Sequence, residues 1–114
     1  MVFVKSVLRS IEFYGRLGFQ VSNTFTPPAQ SEPTWAWLEA GGARLMVTLA
    51  SHPVEASQQA VIFCLYCQDV PSFHAALLKE GFEGGEIEYP SHSPRGQFRL
   101  ADADGFDLTI THAR

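Results

Sequence analysis

The sequence is poor in cysteine, in basic charge and in long apolar runs. Its only cysteines are Cys64 and Cys67, and their C-x-x-C spacing raises a redox or a zinc reading. Both lie in an apolar run, residues 61–67, that reads as a buried strand. Positions three apart on a strand point to opposite faces, so the two sulfurs diverge. A redox pair opens a helix, whose N-terminus lowers the thiol pKa. A zinc site needs two further ligands, and the chain holds no second C-x-x-C and no H-x-x-x-H. The pair therefore reads as two small core-type cysteines. Eight Lys and Arg against twelve Asp and Glu give a net charge of −4. That balance speaks against a nucleic-acid binder, which needs a basic face, and is compatible with cationic partners. No apolar run approaches the roughly 20 residues of a membrane-spanning helix. The first residues lack the charged, apolar and small-residue succession of a signal peptide. The expectation is a cytoplasmic protein with neither membrane nor nucleic-acid partners.

What is present is a repeat. The chain has 114 residues, 46% of them hydrophobic, which suits a single domain with an ordinary core. A strand–helix–strand–strand–strand plan runs over about residues 1–50 and again over about 60–114, and such self-similarity decides the architecture. In the first copy a short strand at 2–4 precedes a helix over 8–17, with Leu8, Ile11 and Phe13 or Tyr14 as its apolar stripe and Gly18 ending it. A strand over 19–25 and a loop with Pro27, Pro28 and Pro33 follow. Strands over 34–40 and 43–50 then join through Gly41-Gly42. A polar linker, 51–59, leads to the second copy. There a strand over 60–67 precedes a helix over 69–79, with Asp69 as N-cap, Pro71 in the first turn and Gly81 beyond the end. A short strand over 86–89, a loop over 90–96 and a hairpin of strands 97–101 and 106–111 complete it. Two helices against eight short strands make an α+β chain in which each sheet buries one face under its helix.

Alternation assigns the other face. In 43–50, Leu45, Val47 and Leu49 face the helix, leaving Arg44, Met46 and Thr48 opposite. In 106–111, Leu108 and Ile110 go inward and Thr109 outward. Trp35, Trp37 and Glu39 separate from Ala36 and Leu38, as Gln97, Arg99 and Ala101 do from Phe98 and Leu100. The strand at 60–67 is apolar on both sides, so either Ile62, Cys64 and Tyr66 or Phe63, Leu65 and Cys67 face away from the helix. A second face with two tryptophans, a methionine and scattered polar groups has the makeup of a small-molecule cleft. It has equally the makeup of a dimer interface.

Two motifs make the chain recognisable. Arg9-Ser10-Ile11-Glu12-Phe13-Tyr14 with Leu17-Gly18-Phe19 resembles the first-helix signature of the vicinal-oxygen-chelate superfamily. This is the group of glyoxalase I, extradiol dioxygenases, fosfomycin-resistance enzymes and bleomycin-resistance proteins. Asp102-Ala103-Asp104-Gly105 resembles its Asp-Pro-Asp-Gly hairpin, with Ala103 in place of proline. The resemblance covers nearly the whole chain. It implies two βαβββ modules whose curved mixed sheets enclose a cleft, with the helices outside, and it implies a homodimer.

In the enzymes of that family a divalent metal sits at inward strand positions. The resemblance places those positions at or before Met1 and at Met46, Ile62 and Thr109. None is a usual ligand for such a metal, so neither a metal nor a cofactor is expected, and no catalytic residue is assigned. His52, His74 and His112 read as ordinary histidines, whereas His92 lies with Ser91, Ser93 and Arg95 in a loop that borders the cleft in relatives.

The favoured expectation is a metal-independent binding protein of the bleomycin-resistance type, acting in antibiotic resistance by sequestering a small molecule. Its ligand contacts would be Trp35, Trp37, Met46, Tyr66, Arg99, Thr109 and His92, with Phe3 also near. Arg44 and Arg99 suit an anionic or carbonyl-bearing ligand better than a cationic one. The alternative is a lyase, isomerase or dioxygenase with a displaced metal site or none, using Glu39, Glu86, Glu88 or Asp107 as ligand or base. A ligand-free dimeric scaffold is the third reading.

Overall fold

The computed structural model describes residues 1–58 and 60–113. The chain divides into two compact units, Met1–Ala56 and Ser57–Arg114.

The first unit contains β1 (Val2–Val4), α1 (Val7–Arg16), β2 (Gln20–Phe25), β3 (Trp35–Ala40) and β4 (Ala43–Leu49). Its sheet has the order β1-β4-β3-β2. It is mixed, because β1 runs parallel to β4 while the β2–β3 and β3–β4 pairs are antiparallel. Helix α1 starts where the Ser6 hydroxyl accepts from the Arg9 N–H at 3.3 Å, an N-cap that satisfies one otherwise open donor. Gly18, at φ 104°, ends it, and the Phe19 N–H returns to the Tyr14 carbonyl at 3.0 Å.

The buried stripe of α1 is Val7, Ser10 and Tyr14. The expected stripe through Leu8 is therefore corrected: Leu8 is 44% exposed. The cap at Ser6 starts the helix one residue earlier than the apolar pattern suggests. Ser10 then faces the sheet, where a small side chain lets helix and strands approach. Val4, Ala36, Leu38 and Val47 form the facing layer, each essentially inaccessible. The Tyr14 and Phe19 rings meet edge-on at 5.7 Å. Burying a Leu, Val or aromatic side chain of this kind contributes about 1.5–3 kcal/mol.

The second unit contains β5 (Ile62–Cys67), α2 (Val70–Lys79), β6 (Gln97–Ala101) and β7 (Asp107–His112). Its sheet has the order β5-β7-β6, with β5 parallel and β6 antiparallel to β7. Asp69 caps α2 as expected, its carboxylate accepting from the Ser72 N–H at 3.0 Å. Val70 and Leu77 of α2 are buried, as are Phe98, Leu100, Leu108 and Ile110 of the sheet.

The short strand expected over 86–89 does not form. One antiparallel bridge, Glu88 to Gln97, stands in its place. The described residues thus hold seven strands rather than eight. Gly84 and Gly85 precede the bridge and Pro90 follows it. Glycine weakens a strand by its freedom and proline removes a ladder donor. What remains is the bridge and the Gly85 N–H donating to the Arg99 carbonyl at 2.7 Å.

Candidate functional site

Each sheet has one face under its helix and one face open, and the open faces carry the candidate residues. In the first unit, register aligns Phe3, Thr48, Trp35 and Phe25 in one row across all four strands. The next row holds Met46, Trp37 and Asn23. A register irregularity between Val21 and Asn23 sets these last pairings. Trp35, Trp37 and Met46 therefore share one face, as alternation indicated. The two indoles meet edge-on at 6.4 Å, and Phe3 and Phe25 are more than half exposed. Among the described residues the Trp37 indole N–H is buried without a hydrogen-bond partner. Arg44 is not a free cation on this face: it sits 3.6 Å from Glu39 in an exposed ion pair. Pairs of that kind contribute little to stability.

In the second unit the undecided strand resolves through its pairing. Cys64 aligns with Thr109 and Arg99, and Tyr66 with Thr111 and Gln97. Ile62, Cys64 and Tyr66 thus belong to the open face. Phe63, Leu65 and Cys67 belong to the helix face, level with Leu108, Ile110 and His112. The reading of both cysteines as core-type is corrected for Cys64, which is exposed. Cys67 is partly covered, and burial is the first cause that raises its thiol pKa. Their opposed directions agree with the strand spacing.

The open face of this unit is the floor of a cavity of about 660 Å³. Three strands each supply a different chemistry to it. β5 gives Ile62 and Tyr66, β7 gives the hydroxyls of Thr109 and Thr111, and β6 gives Gln97 and Arg99. The loop 92–95 forms one wall with His92, Pro94 and Arg95.

Hydrogen bonds pin that loop to the sheet. The buried Ser93 Oγ donates to the Gly96 carbonyl at 3.1 Å and lies 2.7 Å from Thr111 Oγ1. A hydroxyl has one proton, so Thr111 is the donor in the second bond. The Ser93 and Gly96 N–H groups close two successive turns onto the Pro90 and Ser93 carbonyls. Gly96 has φ +109°, and a Cβ there would lie 3.1 Å from Ile87 Cγ2 and 3.3 Å from Tyr89 Cε1. Glycine is required by both conformation and space.

Of the residues singled out in this unit, Tyr66, His92, Arg99 and Thr109 all line the one cavity. Gln97 was missed. Alternation put it on the open face, but nothing in the sequence shows that it lines the cavity. His74 is a partly buried, ordinary histidine, as expected: its Nε2 donates to the Gly85 carbonyl at 2.9 Å and its ring lies 4.8 Å from Phe98. The Asp102 carboxylate accepts from the Asp104 and Phe106 N–H groups at 2.9 Å each, so the Asp102-Ala103-Asp104-Gly105 turn builds the hairpin. Of the carboxylates weighed as ligand or base, Glu39 is paired with Arg44. Glu86, Glu88 and Asp107 are exposed and outside the cavity lining.

The positions that carry metal in enzymes of this fold do not fit a divalent ion here. Met46 offers a thioether, Ile62 a hydrocarbon, and Thr109, which pairs in register with Arg99, a hydroxyl, whereas such ions take imidazole or carboxylate. Among the described residues no group of three or more His, Cys, Asp or Glu converges to hold a metal ion.

In each unit the first strand, β1 or β5, runs parallel to the last, β4 or β7, in a helix-backed mixed sheet; this is the βαβββ plan, complete in the first unit and short of one strand in the second. The chain belongs to the Glyoxalase/Bleomycin resistance protein/Dioxygenase superfamily, whose sequence model matches residues 1–110. No curated protein matches the sequence. Among solved structures it is similar to a bleomycin resistance determinant encoded on the transposon Tn5, with 18% identity, TM-score 0.78 and coverage of 99% of this chain and 94% of that one. It is similar to a bleomycin-binding protein complexed with bleomycin, with 20% identity, TM-score 0.75 and coverage of 99% and 95%. It also resembles TnmS3, an antibiotic binding protein from Streptomyces sp. CB03234, with 18% identity, TM-score 0.74 and coverage of 100% and 93%. At these identities the likeness is one of fold. Among the described residues no helix is long and apolar enough to cross a membrane.

Proposed function

We propose that this chain is a small-molecule binding protein that holds its ligand unchanged, as a homodimer; that proteins sharing its fold bind bleomycin or another antibiotic supports the binding part of this reading. The observation that carries this reading is the composition of the open faces. Trp35, Trp37 and Met46 lie together on one, and Tyr66, Thr109, Arg99 and His92 line a cavity on the other. Exposed aromatic surface with a few polar anchors suits a planar organic molecule. Among the described residues no group of three or more His, Cys, Asp or Glu converges to hold a metal ion, and retention of an intact ligand needs none.

The test is tryptophan fluorescence, because both tryptophans lie on the open face of the first unit. Titration with a panel of planar antibiotics, bleomycin included, is expected to give saturable quenching by at least one member. That ligand should be recovered with unchanged mass after long incubation. Absence of saturable quenching across the panel counts against ligand binding at Trp35 and Trp37. A turned-over ligand points to an enzyme instead. Sedimentation at micromolar concentration checks the dimer, and a monomer with full affinity would remove that part of the reading.

A further inference from the structure

The cavity of the second unit is positively charged in a protein whose balance is negative. Its lining includes Arg95 and Arg99 and no Asp or Glu, although the chain carries twelve acids against eight bases. Among the described residues neither arginine makes an ion pair. The nearest acids by register are Asp107, one row from Thr109 on the same face, and Glu88, beside Gln97. Neither lines the cavity.

A second, independent feature is Gln97. Only 8% of it is exposed. Its backbone N–H and C=O are both used by Glu88, at 2.9 and 2.8 Å. Among the described residues its carboxamide has no hydrogen-bond partner. The amide lines the cavity, so its donor and acceptor stay available to whatever fills that space.

The floor is also graded in polarity. Ile62 and Tyr66 on β5, 53% and 61% exposed, form its apolar side. Thr109 and Thr111 lie in the middle on β7, and Arg99 and Gln97 form the far side on β6. With strands about 4.8 Å apart, apolar and cationic sides are separated by roughly 10 Å. We propose that this cavity binds an aromatic carboxylic acid, its ring against Tyr66 and Ile62 and its carboxylate held by the Arg99 guanidinium and the Gln97 amide, with Arg95 closing the rim. Guanidinium is matched to carboxylate in shape as well as charge. The pinned Ser93 turn holds Arg95 and His92 in place. This assignment rests on the reading of the chain as a binding protein and names the chemistry of its ligand.

The test is calorimetric titration of the intact protein with 2-naphthoate, 2-naphthamide, 2-naphthyl phosphate and 2-naphthylmethylammonium. Naphthoate is expected to bind about tenfold or more tightly than the amide, with the cation weakest and the preference shrinking as salt rises. Arg99→Ala should bring naphthoate down to the level of the amide. Gln97→Met, which keeps the buried volume, should weaken it about fivefold at unchanged melting temperature. Arg99→Lys keeps the charge without the fork and serves if the alanine variant misfolds; an intermediate affinity is expected. Amide or cation binding as tightly as naphthoate, or naphthoate affinity insensitive to both arginine variants, overturns the proposal. Naphthyl phosphate binding tighter than naphthoate overturns the carboxylate assignment in favour of a phosphoryl group. Binding of none of the four overturns it too. Saturable quenching of Trp35 and Trp37 by another ligand would then leave the sequestration reading standing.

Discussion

Replacing Ser93 with alanine removes one hydroxyl and two hydrogen bonds. Ser93 is 7% exposed and its partner Thr111 9%. The Ser93 proton goes to the Gly96 carbonyl at 3.1 Å, and the Thr111 proton goes to Ser93 Oγ at 2.7 Å. A neutral buried hydrogen bond contributes about 1 kcal/mol net, and a polar group left unsatisfied costs about 1–3 kcal/mol more. Thr111 borders the cavity, so water reaches its orphaned hydroxyl and the cost falls toward the lower end. The Ser93→Ala loss is therefore about 2–3 kcal/mol, which corresponds to roughly 8–12 °C in Tm for a chain of this size.

Thr111→Val leaves Ser93 its bond to Gly96, so it should cost only about 1 kcal/mol. The double variant carries no orphaned hydroxyl on β7. It should be no less stable than Ser93→Ala alone, giving a coupling of about 1 kcal/mol or more. Urea unfolding of the four proteins measures the cycle. Additive losses, with a coupling under about 0.3 kcal/mol, would refute the assigned proton order and the idea that this pair holds the loop 92–95.

Two further outcomes follow from the titratable groups. Iodoacetamide at pH 8 should label the exposed Cys64 well before Cys67, whose thiol is pushed up chiefly by burial and is less often the reactive thiolate. Mass spectrometry after brief exposure reads this, and a cavity ligand should slow only Cys64; equal rates would contradict the strand faces. The Asp69 carboxyl is held below its ordinary value of 3.8, first by the Ser72 backbone N–H. A depressed folded-state pKa contributes stability above the unfolded value, and that stability is lost as pH falls through the folded one. Stability should thus decline on acidification below pH 3.8 more steeply in the wild type than in Asp69→Asn, which caps the helix without titrating; parallel acid profiles would exclude the cap as the titrating group.

The parts of the fold that were legible are those where one side of an element is polar. Met46 and Thr109 were placed correctly because Arg44, Thr48 and Asp107 mark the outer side of their strands. Gly18, Asp69 and Gly81 announce helix ends through local capping chemistry, whereas the Ser6 cap of α1 was passed over because the apolar pattern begins at Leu8. The sequence of β5 is apolar on both sides, so alternation had nothing to act on. Only its register with β7 turns Ile62, Cys64 and Tyr66 outward. The same limit explains the missed site features. The bond from Thr111 to Ser93 spans 18 positions, and the unpaired amide of Gln97 exists only because the segment around Glu88 uses that residue's backbone alone. Contacts made by folding, rather than by neighbours in sequence, decide which polar groups are left for a ligand. A site built from such leftovers is invisible to pattern and accessible only through the partners each group lacks. For that reason Gln97, which no motif marks, is a sharper probe of the cavity's ligand than either tryptophan, since its amide is where an apolar ligand and an aromatic acid would differ most.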